Sequence, residues 1–108
     1  MLEDVVRKGK LLDMYGMLLT ERQRNCLELY VLSDWSLGEI AAELKVSRQA
    51  VHDNLQRAVQ TMEEYEGKLR LLEKRERDVE IIVHVKQLLD GHHDVAVKSA
   101  RKLLDIFE

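Results

Sequence analysis

Four polar side chains recur at helical spacing near the middle of this 108-residue chain. They are Arg48, Gln49, His52 and Gln56. Arginine and glutamine at the start of a helix can form paired hydrogen bonds with base edges in the major groove of DNA. The pattern predicts that Arg48, Gln49 and His52 contact base edges and that Gln56 contacts a base or a phosphate. The alternative is that all four are ordinary solvated residues of a scaffold helix.

Three further arginines could neutralise phosphates without reading sequence. Arg57 follows the polar group on the same predicted helix, and Arg22 and Arg24 belong to an earlier one. For the two earlier arginines a second interpretation stays open, in which they pair with Glu21 and Glu28 along their own helix.

The other reactive side chains form no recognisable constellation. Cys26 falls on the apolar face of a predicted helix, so we expect a buried hydrophobic side chain and no disulfide. His92 and His93 are adjacent and diverge on a helix, and with His84 they predict a polar turn rather than a metal site. Glycine-rich phosphate loops and grouped catalytic residues do not occur, so the sequence predicts neither an enzyme nor a cofactor.

The elements that must position the four polar residues run from Ser36 to Arg57. Ser36 can cap a first short helix, and Ser47 can cap a second. Lys45 and Val46 lie between them, and Lys45 stands where a left-handed residue, commonly glycine, is needed. The stretch predicts a helix-turn-helix, whose second helix is shaped to enter a major groove.

The composition predicts an all-α fold. The chain has no proline, five glycines and one phenylalanine, with 45% hydrophobic and 34% charged residues. A single cysteine fits a cytoplasmic protein, and no apolar run is long enough to span a membrane. We expect one domain with three parts: the N-terminal helices and helix-turn-helix (1–60), a long linking helix (47–75) and a C-terminal helical hairpin (76–108).

Before the motif, the pattern predicts a helix over residues 2–15 that Gly16 ends. Thr20 is a suitable N-cap for a helix over residues 21–33. Trp35 is expected to pack across the joint between the helices.

After the motif, six apolar residues follow alternating steps of three and four. This seam consists of Leu55, Ala58, Met62, Tyr65, Leu69 and Leu72. It predicts one helix from Ser47 to about Arg75, roughly 42 Å long, which the small bundle before it cannot cover. We expect the C-terminal helices and a second copy of the chain to cover the excess, which makes the protein a homodimer.

The last third is predicted to be a helical hairpin. Residues 74–80 are charged and predict a solvated turn or helix surface. A helix over 81–89 should end at Gly91, and Asp94 should cap a final helix. The apolar residues of that final helix are Val97, Ala100, Leu103, Leu104 and Phe107.

The charge of the chain argues against strong binding of DNA by a monomer. The net charge is −3, and residues 20–60 carry five basic and six acidic side chains. Because phosphate neutralisation supplies most non-specific affinity for DNA, a dimer or a partner is needed.

Several blocks of the chain resemble known families. The segments 19–30 (LTERQRNCLELY) and 36–58 resemble region 4 of the bacterial sigma factors, which reads the promoter −35 element. Residues 10–75 more closely resemble the small YlxM-type helix-turn-helix proteins of Gram-positive bacteria. Such proteins are encoded beside the signal recognition particle GTPase, which implies an accessory or regulatory role in that secretion pathway.

Two functions remain open at this point. The first is a helix-turn-helix regulatory protein that binds DNA or RNA and takes part in the signal recognition particle pathway. The second is a protein–protein interaction module, which uses a sigma-like fold to bind a protein of the targeting or transcription machinery. Arg48 and Gln49 favour the first, and the acidic surface favours the second.

Overall fold

The computed structural model describes residues 2–90 and 95–106 of the chain, with the side chains described from Asp4 onward. Within these ranges it is all-helical, as predicted. The six helices are α1 (Leu2–Tyr15), α2 (Glu21–Val31), α3 (Leu37–Leu44), α4 (Arg48–Leu69), α5 (Leu71–Leu89) and α6 (Val95–Asp105), with a short 3-10 helix at Gly16–Leu18. The chain divides into two compact units, residues 1–72 and 73–108.

Capping side chains set the helix boundaries of the N-terminal unit. Thr20 Oγ1 accepts a hydrogen bond from the Gln23 N–H, and Gln23 Oε1 accepts from the Thr20 N–H. This reciprocal pair satisfies two donors that the first turn of α2 leaves open. The predicted N-cap of α2 is therefore confirmed, and the helix ends at Val31, two residues earlier than expected.

The core of the N-terminal unit forms where α1, α2 and α3 pack against α4. Its largest fully buried side chains are Tyr15, Leu11, Leu27, Ile40, Met62, Val51 and Cys26. Cys26 is a buried free thiol, as predicted. Burial raises its pKa, and the nearby positive charge of Arg22 opposes that rise. Trp35 is half-buried against this core, beside the joint between α2 and α3.

The prediction of one helix from Ser47 to about Arg75 is wrong about where that helix ends. Helix α4 has 22 residues and ends at Leu69, where Arg70 takes the left-handed conformation (φ 53°) and α5 begins. Two side-chain oxygens receive the first N–H groups of α5: the Leu71 N–H donates to the Tyr15 hydroxyl (3.2 Å) and the Leu72 N–H to Glu66 Oε1 (3.0 Å). These acceptors stabilise a new helix start at a point where the local sequence favours continuation.

Most of the predicted seam is covered from within the chain. Leu55, Ala58 and Met62 are buried in the N-terminal core, together with Leu72 from the first turn of α5. Leu69 is the exception, with 52% of its surface exposed. The expectation that the small bundle cannot cover this face is therefore wrong, because Leu11, Leu12 and Tyr15 of α1 belong to the same buried cluster.

The C-terminal unit contains an antiparallel pairing of α5 with α6. Lys86 forms an ion pair with Asp105, and Asp90 forms one with Arg101, so the two helices run in opposite directions. Arg101 Nη1 also donates to the Lys86 carbonyl (3.2 Å). The predicted hairpin is present, although α5 starts at Leu71, so the charged stretch 74–80 is exposed helix rather than a turn. The predicted roles of Gly91, His92, His93, Asp94 and Phe107 lie outside the described residues.

Candidate nucleic-acid interface

The turn between α3 and α4 has the geometry that the sequence predicts. Ser36 Oγ accepts from the Glu39 N–H (3.1 Å), and Ser47 Oγ accepts from the Ala50 N–H (3.0 Å). Between them Lys45 is left-handed, with φ 57° and ψ 45°. The Val46 N–H donates to the Ala41 carbonyl (3.0 Å), which closes the end of α3.

Packing behind the turn holds the two helices together. Ile40 and Val51 are fully buried, and Ala41 is 7% exposed where the small side chain was predicted. Val46 is half-buried against the same core. The first turns of α4 are thus fixed to the bundle by one side, and the opposite side faces solvent.

Four of the predicted contact residues share this solvent face. Arg48, Gln49, His52 and Gln56 are all exposed. At about 100° per residue they fall within an arc of roughly 100° on α4. The structure therefore brings these four residues together. Arg57 is also exposed but points roughly 80° or more away from each of them, toward the flank of the helix.

An acidic residue that the sequence reading missed lies beside this face. Gln49 Nε2 donates to Asp53 Oδ1 (3.0 Å), and the same oxygen lies 3.6 Å from His52 Nδ1. Asp53 orients the Gln49 amide and places a negative charge next to Gln49 and His52, two of the three side chains predicted to contact base edges. The spacing of four residues between Gln49 and Asp53 was the signal that could have revealed it.

Of the two arginines of α2, Arg24 pairs with a glutamate of its own helix, as the second interpretation predicts. Arg24 Nε lies 3.9 Å from Glu28 Oε1, one turn further along the same helix. Arg22 is exposed in the first turn of α2. An exposed pair of this kind is weak, so Arg24 can exchange Glu28 for a phosphate at little cost.

A cleft adjoins the exposed face of α4. It has a volume of about 620 Å³ and is lined by α1, α2, α3 and α4. His52 and Gln56 belong both to the exposed face and to the lining of the cleft. The ammonium of Lys8 lies 5.8 Å above the centre of the Tyr30 ring, also in this lining. The sequence reading did not identify Lys8 or Tyr30, because only the packing of α1 and α2 on α4 brings them there.

Metal and membrane chemistry receive no support from the described part of the chain. Within residues 2–90 and 95–106, no group of three or more His, Cys, Asp or Glu side chains is placed to hold a metal ion. His84 is exposed on α5. Among the helices described, none combines the length and apolar character needed to cross a bilayer.

The capped turn, the buried crossing of α3 on α4 and the exposed polar face of α4 define a helix-turn-helix protein. The chain belongs to the UPF0122 family, described as "Putative helix-turn-helix protein, YlxM / p13 like", which matches residues 2–102. This confirms the resemblance to the YlxM-type proteins found in the sequence. The description is that of a helix-turn-helix protein rather than of an enzyme.

Several curated proteins of this family are similar along most of the chain. A UPF0122 protein of Shouchella clausii is 46% identical over 108 residues, covering 100% of this chain and 97% of its own. One from Geobacillus kaustophilus is 44% identical, covering 100% and 98% respectively. One from Desulforamulus reducens is 55% identical over 80 residues, covering 74% of this chain and 68% of its own.

Proposed function

We propose that this chain is a cytoplasmic regulatory protein that binds nucleic acid through the N-terminal half of α4. The observation that carries the proposal is the exposed cluster of Arg48, Gln49, His52 and Gln56 on a helix whose other side is fixed to the core. Paired donors of arginine and glutamine on such a helix match the acceptor pattern of base edges. Arg57, Arg22 and Arg24 supply the phosphate contacts.

The pathway is proposed from the family. YlxM-type proteins are encoded beside the signal recognition particle GTPase, so we assign this chain an accessory role in targeting proteins for secretion. The pathway makes the RNA of that particle one candidate ligand, and the helix-turn-helix makes duplex DNA the other.

Fluorescence anisotropy with labelled duplex DNA and with the particle RNA tests the binding proposal. Both titrations are made at about 50 mM and about 200 mM salt, because electrostatic binding is strongest at low salt. A matched RNA of equal length and scrambled sequence serves as the control. Preference for one ligand over its scrambled control supports the proposal, and absence of binding at the lower salt concentration would refute it.

A protein–protein module remains the second candidate because the motif is not basic. Residues 20–60 carry five basic and six acidic side chains, and Asp53 contacts Gln49 on the proposed binding face. Under this alternative the same face binds a protein of the targeting or transcription machinery. Binding to the purified particle GTPase, with no preference among nucleic acids, would favour it.

We also propose that the protein acts as a homodimer through its C-terminal unit. Lys86 is the one side chain that is buried among the described residues of this unit. Val95 (78% exposed) and Leu103 (61%) lie within about 80° of one another on α6, and the exposed Ile106 (73%) follows its last residue. A second copy would cover this apolar stripe, and the resulting dimer would carry two helix-turn-helix motifs.

A further inference from the structure

The cleft beside α4 combines an apolar floor with polar walls. Leu27 is fully buried at its floor and Leu55 is 9% exposed. The ring of Tyr30 forms part of one wall, and Gln56 and Gln60 of α4 contribute amides to another. Its volume of about 620 Å³ lies in the range of sites that hold small organic ligands.

The formal charge of the lining is positive. Lys8 is the single residue with a full charge at neutral pH among the described residues that line the cleft, and no carboxylate is one of them. This contrasts with the net charge of −3 of the whole chain. The lining therefore favours an anionic ligand, while the apolar floor and the Tyr30 ring favour a flat, ring-shaped one.

We infer that this cleft takes one unpaired nucleotide of a bound nucleic acid. The Lys8 ammonium, which lies over the Tyr30 ring in the unbound chain, moves off the ring to receive the phosphate. The base then stacks against Tyr30 over the floor formed by Leu27 and Leu55, and the amides of Gln56 and Gln60 bond to the base edge. The inference rests on the proposed function, since His52 and Gln56 of the binding face also line the cleft.

Depth and charge both favour an unpaired base over a paired one. A paired base has its faces covered by its neighbours in the stack, so it can offer only its edge to a protein. The lining of this cleft comes from four helices, and Leu27 and Leu55 at its floor are buried, so a base that has left the stack can lay its face against them. Stacking on an aromatic ring adds affinity that does not depend on a basic surface, and residues 20–60 have no excess of basic over acidic side chains.

The test compares a duplex carrying one bulged 2-aminopurine nucleotide with the same duplex fully paired, as RNA and as DNA. We expect the bulged duplex to bind about five-fold or more tightly, with a change in 2-aminopurine fluorescence on binding. Comparison of the bulged RNA with the bulged DNA shows whether the cleft takes a ribonucleotide or a deoxyribonucleotide. Equal affinity for bulged and paired duplexes of both kinds would overturn the inference.

Variants locate the effect in the cleft. Tyr30→Leu should remove the preference for the bulge and leave affinity for the paired duplex unchanged, whereas Lys8→Gln should weaken binding of the bulged duplex more than the exposed control Lys68→Gln. A preference for the bulge that survives Tyr30→Leu would place the base elsewhere and contradict the inference.

Titration of the unaltered protein with adenosine and cytidine monophosphates separates the inference from the proposed function. The methyl resonances of Leu27, Leu55 and Val59 report on the cleft without any substitution. If no oligonucleotide binds but these methyls shift with a mononucleotide, the proposed function fails and the cleft is a site for a free nucleotide instead. If oligonucleotides bind without preference for the bulge, the proposed function stands and the inference fails. If neither an oligonucleotide nor a mononucleotide binds, both fail.

Discussion

The Tyr15 hydroxyl donates a hydrogen bond of 2.6 Å to Oε1 of Glu66, and the two side chains together accept the first two N–H groups of α5. Tyr15 comes from the end of α1 and Glu66 from the last turn of α4. Both are buried, with Glu66 at 8% exposure. This contact joins the N-terminal helix to the point where α4 ends.

We expect Tyr15→Phe to destabilise the protein by about 1–3 kcal/mol. The change removes the donor to the Glu66 carboxylate and the acceptor of the Leu71 N–H, and buried polar groups that lose partners are costly. Urea denaturation gives the free energy of unfolding, and hydrogen exchange of the Leu71 and Leu72 amides should accelerate. Tyr65→Phe is the matched control, since it keeps the ring that stacks on Tyr15 (6.0 Å between centroids). Equal effects of the two substitutions would contradict this role.

Lys45→Gly should stabilise the helix-turn-helix by about 0.5–1 kcal/mol. Lys45 is left-handed, a conformation that is strained for a side chain with a Cβ and free of strain for glycine. The greater flexibility of glycine in the unfolded chain offsets part of the gain. Thermal and urea denaturation measure the change. Lys45→Ala retains the strain and separates it from loss of the charge, so equal stability of the two variants would refute the explanation.

Arg48→Ala and Arg57→Ala should affect nucleic-acid binding differently. Arg48 lies on the proposed base-reading face, so its loss should reduce the ratio of specific to non-specific affinity about five-fold or more. Arg57 lies on the flank, so its loss should weaken all sequences alike and reduce the salt dependence by about one phosphate contact. Anisotropy titrations at several salt concentrations distinguish the two effects. Identical behaviour of the two variants would contradict the assignment.

The pairing of α6 with α5 should depend on acid pH. The hydrogen bond from Lys86 lowers the pKa of the Asp105 carboxyl below its ordinary value of 3.8. A lowered pKa in the folded state means that the contribution to stability is present above about pH 4 and is lost as pH falls through the lowered value. Hydrogen exchange of the α6 amides between about pH 6 and pH 2.5 measures it. In Asp105→Asn the protection of the α6 amides should vary less with pH than in the unaltered protein. The same pH dependence in both proteins would refute the role of this carboxyl.

Leu103→Glu combined with Ile106→Glu should convert the proposed dimer to a monomer. These two side chains, with Val95, form the exposed apolar stripe along and just after α6, and a charge placed in an apolar interface is costly. Sedimentation at tens of micromolar should give twice the mass of the chain for the unaltered protein and the mass of one chain for the variant. Lys98→Glu is an exposed control on the same helix, about 60° or more around the axis from each residue of the stripe. A monomeric unaltered protein would end the dimer proposal.

Much of the N-terminal half could be predicted because its signals are local. Thr20, Ser36 and Ser47 each accept a backbone N–H three residues ahead, and a cap of this kind depends only on the residue type and its spacing. Helical periodicity likewise placed Arg48, Gln49, His52 and Gln56 on one face, since the side buried by Val51 and Leu55 fixes the side left to solvent.

The sequence could not predict the cleft, because its lining comes from residues as far apart as Lys8 and Gln60. Nor does local spacing show which helices border it. The contact of Asp53 could have been predicted from the sequence, because Asp53 lies four residues after Gln49 on a predicted helix.

The sequence by itself determined the helical class, the capped turn at Lys45 and the polar face of α4, because caps and periodicity act within a few residues. Only the tertiary structure decided where α4 ends. Periodicity carried the seam through Leu69 to Leu72, and no proline or glycine stands at Arg70 to stop it. The helix ends there because Tyr15, more than fifty residues earlier, lies beside Glu66. The Tyr15 hydroxyl accepts the Leu71 N–H and the Glu66 carboxylate accepts the Leu72 N–H, so a new helix can start at Leu71. A contact at that sequence distance leaves no local pattern.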